Sequence, residues 1–177
     1  NLIEEITGDL SIYNISNFDG LYGLRTIGGD FNVAFRSSCN RLLSFEGLNN
    51  LEVIGGDFNC HYSGWSSSDS GKSSGFADKD FGKLNKLKSI GGDLIVELFP
   101  YRPGNLTSLN GLENLSSIGG GIHTEYLSSL EGLSGIKEVQ SLYIEDASNI
   151  EGLSNLKRVC GDVSLINGSF DSFNGLR

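Results

Sequence analysis

The sequence is short of positive charge. Thirteen Lys and Arg face 22 Asp and Glu, a formal balance of −9, which argues against a nucleic-acid binder or a protein held to anionic membranes. No apolar run approaches the roughly 18–20 residues a membrane span needs, and no signal peptide begins at Asn1. Methionine is missing, and proline occurs only twice in 177 residues. No window carries ten or more residues at helical spacing, which excludes long helices. The three cysteines, Cys39, Cys60 and Cys160, form no CxxC pair and have no histidine at ligand spacing, which argues against a zinc site built on them. Their odd number cannot close a disulfide framework. A Cys39–Cys60 bridge and buried small hydrophobes are the two readings, the second favoured for Cys60, and the redox compartment stays open.

What is abundant is glycine, 25 residues, about twice its usual share. Leu, Ile, Val and Phe make up 31% of the chain, enough to bury a core. These residues recur in a fixed unit, [F/L/I]-x-G-L-x-x-[L/I]-x-x-[I/V]-x-G-D-[L/F/V]-x-[I/V]. One copy runs from Phe18-Asp19-Gly20-Leu21 through Leu24, Ile27 and Gly29-Asp30-Phe31 to Val33. Others run Phe45 to Cys60, Leu109 to Thr124 and Ile150 to Leu165. The chain enters at Ile3 and leaves at Phe173-Asn174-Gly175-Leu176, so it reads as one repeat body over 1–177 cut from something longer. The fourth copy deviates at Phe81-Gly82-Lys83-Leu84, and the sixth loses its Gly-Asp.

Apolar residues two apart, such as Leu10 and Ile12 or Leu94 and Val96, have the period of a strand with one buried face. Those three apart, such as Leu24 and Ile27, suit a bend, and short helical turns at Gly-Leu-x-x-Leu are the most helix expected. The glycine after the bend is expected to supply turn freedom. One unit cannot bury its apolar face alone, so units must stack. Seven strands at about 4.8 Å give a body on the order of 34 Å long. The inward set is expected to be Leu10, Ile12, Phe31, Val33, Phe58, Cys60, Leu94, Val96, Ile122, Leu142, Ile144, Val163 and Leu165.

Leu-x-x-Ile-Gly-Gly-Asp-Leu-x-Ile together with Leu-x-Gly-Leu-x-x-Leu resembles the receptor L-domain branch of leucine-rich-repeat-like β-solenoids. The likeness covers nearly the whole chain. It implies an all-β, right-handed β-solenoid of about seven coils. It also implies a secreted or cell-surface recognition module, without catalysis or cofactor. The cysteine-rich modules that flank the receptor domains are missing here, so growth-factor binding is not implied.

Two columns of side chains carry candidate chemistry. Asp9, Asp30, Asp57, Asp93 and Asp162 share one repeat position, with Gly121 in the fifth. They read either as a calcium ladder or, preferred at one carboxylate per repeat, as caps on backbone N–H groups within their own turns. Just past the strands lies a second column, His61, Glu97, Glu125 and Glu145, with His123 and Tyr143 two residues earlier on the same face. It reads either as an acid–base set for glycan hydrolysis or, preferred for want of a nucleophile with its base, as the solvated face of a sheet. The glycine-rich turns lack any phosphate-binding frame. Four N-x-[S/T] triplets, at Asn14, Asn105, Asn114 and Asn167, stand against roughly 2.6 expected from composition, so they say little about glycosylation.

The repeats differ in length. Their anchors Phe18, Phe45, Phe81, Leu109, Leu130, Ile150 and Phe173 are separated by 27, 36, 28, 21, 20 and 23 residues. The excess falls after the strands of repeats two to four, in segments 34–44, 61–80 and 97–108, and insertions on one face are often where such arrays bind. The only Trp and half of the arginines lie there. The expected partner surface is Phe35, Arg36, Tyr62, Trp65, Phe99, Tyr101 and Arg102, since Trp, Tyr and Arg dominate binding hot spots. The expectation is thus a surface-exposed, non-catalytic recognition module for a protein or glycan, with no nucleic acid, no membrane insertion and no metal. A glycan-active hydrolase and an assembly subunit of a surface complex are the alternatives.

Overall fold

A computed structural model describes residues 2–36, 42–63, 75–76, 78–98, 106–169 and 176. Among them the fold is all-β with parallel sheets. Each repeat gives one strand to a seven-stranded sheet: Leu10–Tyr13, Phe31–Arg36, Phe58–Ser63, Leu94–Glu97, Ile122–Glu125, Leu142–Glu145 and Val163–Ile166. Their order in the sheet is their order in the chain, and every pairing is parallel. Two-residue strands such as Thr26–Ile27, Val53–Ile54 and Ser89–Ile90 form a second parallel sheet, again in chain order. Helix is confined to two 3-10 turns, Gly82–Leu84 and Glu151–Leu153, both in the Gly-Leu slot.

The three-residue spacing of the apolar positions has a direct cause. The amide of Leu24 donates to Leu21 O and that of Leu21 to Phe18 O. The same pair of turns recurs at Phe45-Leu48-Leu51, Phe81-Leu84-Leu87, Leu109-Leu112-Leu115 and Ile150-Leu153-Leu156. Consecutive i to i+3 turns point every third side chain inward, and all fifteen of these residues are buried or, at Leu21, nearly so. In repeats two to four the core is aromatic: Phe31 stacks on Phe58 with centroids 5.1 Å apart, and Phe45 lies 5.1 Å from Phe81. Leucine and isoleucine replace these rings in repeats five to seven.

The Gly-Gly-Asp corner works differently from expectation. Its glycines do not have positive φ; among the described residues the glycines that do are Gly20, Gly47, Gly111 and Gly132, in the Phe/Leu-x-Gly-Leu slot. The corner glycines are there for space. A Cβ on Gly55 would lie 2.2 Å from Gly28 O, and one on Gly91 would lie 2.0 Å from Gly55 O. A Cβ on Gly56 or Gly92 would strike the Oδ1 of Asp30 or Asp57. Those carboxylates cap backbone as expected, but across repeats rather than within their own turns. Asp9 Oδ1 accepts from the amide of Asp30 (2.8 Å), Asp30 from Asp57 (2.8 Å), Asp57 from Asp93 (2.7 Å) and Asp93 from Gly121 (2.6 Å). At Gly121 the column ends, because Ser141 Oγ occupies the space its side chain would need.

The inward set is largely as expected: Phe31, Val33, Phe58, Cys60, Leu94, Val96, Ile122, Leu142 and Ile144 are buried. Leu10, Ile12 and Leu165 are half-buried, and Val163 is 50% exposed, because the first and seventh strands are the sheet's edges. Burial raises the Cys60 thiol well above its ordinary pKa. Thr124 takes an inward position between Val96 and Ile144, and its buried hydroxyl has no hydrogen-bond partner. Replacing Phe58 by Ala should cost about 3–5 kcal/mol, as large-to-small core changes do. Thr124→Val should instead stabilise the protein by about 1 kcal/mol, since it removes an unpaired buried hydroxyl. Urea unfolding of both variants checks the two signs.

Candidate functional site

In a strand with one buried face the alternate residues must point out. Here the outward positions of the seven strands align into two columns by register. The first reads Ser11, Asn32, Asn59, Ile95, His123, Tyr143 and Ser164, and the second Tyr13, Ala34, His61, Glu97, Glu125, Glu145 and Ile166. Asparagines bond along the first, Asn59 Nδ2 donating to Asn32 Oδ1 at 2.8 Å and Asn32 Nδ2 to Ser11 Oγ at 3.3 Å.

The titratable groups gather in repeats three to six. Glu97 sits between two histidines: its Oε2 lies 2.8 Å from His61 Nδ1, and its Oε1 lies 3.7 Å from His123 Nε2. The same His123 nitrogen is 3.1 Å from Glu125 Oε1. Behind His123 the ring of Tyr143 stacks at 4.4 Å and 26°, and the Tyr143 hydroxyl donates to Glu145 Oε2 at 2.7 Å. Glu97, Glu125 and Glu145 are direct neighbours on adjacent strands, an arrangement of like charges that destabilises a sheet unless something offsets it. Among the described residues no Lys or Arg pairs with any of the three, and the two imidazoles are the ion-pair partners of Glu97 and Glu125. Glu97, His123 and Glu125 bring three ligand atoms within 4.8 Å of one another, the one such group of His, Cys, Asp and Glu among the described residues.

The expected partner surface is placed only in part. Trp65, Phe99, Tyr101 and Arg102 lie outside the described residues. Phe35 and Arg36 belong to the second strand, which runs three residues beyond the repeat unit's last position, Val33. Tyr62 needs correcting: it is 2% exposed and belongs to the core. The third strand also runs on, so Phe58, Cys60 and Tyr62 alternate inward together, a signal visible in the spacing. Phe76, from the same insert, is fully buried against Phe45, and its strand Gly75–Phe76 pairs with Leu42–Leu43 from the preceding insert. Asp78 Oδ2 then accepts from the amide of Phe45 at 2.8 Å, tying the end of insert 61–80 to the core.

A hollow lined by Leu142, Leu156, Val159, Val163 and Leu176 together with Lys157 and Arg158 opens at the seventh repeat, with no carboxylate in its wall. No described helix is long and apolar enough to cross a membrane. Compared with known protein families, curated proteins and solved structures, the chain finds no match.

The bond to Glu145 pushes the Tyr143 hydroxyl up to about 12, because the neighbouring carboxylate favours the protonated phenol. In an ultraviolet titration Glu145→Gln should therefore move one tyrosine back toward the ordinary value of about 10. An unchanged titration curve would show that the pair does not form in solution.

Proposed function

We propose that the protein is a right-handed β-solenoid of the receptor L-domain and leucine-rich-repeat type. In this reading it is a secreted or surface-exposed, non-catalytic module that recognises a protein or glycan. What supports the architecture is that every repeat gives one short and one long strand, the long ones in one seven-stranded parallel sheet and the short ones in a five-stranded and a two-stranded parallel sheet, all in chain order, as stacked repeats would give. The function is carried by one observation. In repeats two and three the inserts belong to the two longest strands of the sheet, Phe31–Arg36 and Phe58–Ser63, beside an outward column that includes His61 and Glu97. In this reading the aromatic and arginine residues of the inserts act together with the carboxylates of that column.

The hydrolase alternative would draw on the same column, but Glu97, Glu125 and Glu145 are engaged by His61, His123 and Tyr143 on a half-exposed sheet face. A glycan array followed by calorimetry on its hits, with a parallel screen against candidate extracellular proteins, identifies the partner. Alanine at Trp65, Tyr101 and Arg102 together should then weaken binding at least tenfold, about 1.4 kcal/mol, with Tm unchanged. Full affinity in that variant would move the partner surface elsewhere. Polysaccharide hydrolysis abolished by Glu125→Gln or Glu145→Gln would replace recognition by catalysis.

A further inference from the structure

The geometry points to a divalent transition-metal site, best suited to zinc, on the outward face of the long sheet, with Glu97, His123 and Glu125 as its protein ligands. The inference does not rest on the recognition reading and stands whether or not the inserts bind a partner.

Strand register brings the donors together, with Glu97 opposite Glu125 and His123 two residues before Glu125 on the same face. His123 Nε2 faces Glu125 Oε1 at 3.1 Å and Glu97 Oε1 at 3.7 Å. A single N–H cannot align well with two acceptors, so one carboxylate oxygen is poorly served by the imidazole alone. A cation at their centre serves all three. Ligand atoms around tetrahedral zinc at roughly 2.0–2.1 Å stand about 3.3 Å apart, and the three here lie within 4.8 Å of one another, so side-chain rotation closes the set around an ion. Those side chains are about one-third exposed, 33% for Glu97, 35% for His123 and 31% for Glu125, which leaves the remaining coordination position to solvent. An imidazole nitrogen with two carboxylate oxygens suits zinc better than calcium, which takes six to eight oxygens.

Around the ligands stands the support that metal sites use. His61 Nδ1 bonds the other oxygen of Glu97 at 2.8 Å, leaving Oε1 turned toward His123. The Tyr143 ring, itself held by Glu145, backs the His123 imidazole. Such outer partners fix ligand orientation, and their loss commonly costs about 10–100-fold in metal affinity. Zinc would also offset the repulsion between Glu97 and Glu125, which no described Lys or Arg does.

The test is a calorimetric zinc titration of the chain, stripped with chelator and dialysed, with calcium in a parallel arm. Cys160 is exposed and bonds Glu138, so Cys160→Ser serves as the control for a thiol site. One saturable zinc equivalent is expected in the parent and in Cys160→Ser. That equivalent should disappear in His123→Ala and in Glu125→Gln, and His61→Ala should keep it with affinity about 10–100-fold weaker. Equal Tm values without zinc would show that the variants remain folded, as outward-facing positions allow. Zinc should raise the Tm of the parent and not that of His123→Ala. Absence of saturable zinc binding in the parent overturns the assignment. So does unchanged affinity in His123→Ala and Glu125→Gln, loss of the equivalent in Cys160→Ser, or calcium binding abolished by the same two substitutions.

Discussion

Everything in this structure depends on how closely one repeat's backbone lies on the next at the Gly-Gly-Asp corner. Parallel strands hydrogen-bond only at about 4.8 Å, and at that distance the carbonyl of one corner fills the place where the next corner's Cβ would stand, 2.0 Å away for Gly91 against Gly55 O. The second glycine clears a site for the preceding aspartate, whose carboxylate then receives the amide that begins the following strand. Gly-Gly-Asp is therefore one device with three parts. Two residues remove volume and the third puts a hydrogen-bond acceptor into the space created. Both sheets are registered from that corner, since a short strand ends just before it and a long strand starts just after.

Much of this was legible in the repeat. Period two gave the long strands and their inward faces, and period three gave the turns. The purpose of the corner glycines was not legible, because a single repeat shows only that no side chain is wanted, whereas the clash is with atoms some 20 to 36 residues earlier. The aspartate caps were misplaced for the same reason: the acceptor serves its spatial neighbour, not its sequence neighbour. Positive φ belongs instead to Gly20, Gly47, Gly111 and Gly132. It also occurs just past four strands, at Asn14, Tyr126, Asp146 and Asn167. Asn and Asp tolerate that conformation, so three of those four could have been read; tyrosine could not.

The inserts expose a limit of length arithmetic. Subtracting a bare repeat of about twenty residues assigns all excess to surface, yet part of the excess extends strands and part returns to the core. Tyr62 continues the alternation of Phe58 and Cys60, and Leu98 continues that of Leu94 and Val96, so both are buried. Phe76 and Asp78 come back from the longest insert to meet Phe45 by its ring and its amide. An insert anchored in this way is ordered at both ends by the core, which is what a binding segment needs if it is to present its middle at low entropic cost.

The two columns of titratable side chains separate by what they touch. In the aspartate column Asp9, Asp30, Asp57 and Asp93 each accept from a backbone amide of the next repeat. Removing one of these four would leave an amide without its acceptor, although Gly121 shows that the corner also forms without a carboxylate. In the outer column the fold accepts Tyr13, Ala34 and Ile166 at the positions where repeats three to six carry His61, Glu97, Glu125 and Glu145. Among the described residues His61, Glu97, His123 and Glu125 bond one another, while Tyr143 bonds Glu145 and stacks on the His123 ring. No backbone group is served by these contacts, and three carboxylates on adjacent strands repel. Side chains that hold no backbone in place, and whose charges oppose the sheet that carries them, are not explained by stability. Their arrangement is explained by a ligand that the carboxylates and the imidazole can share.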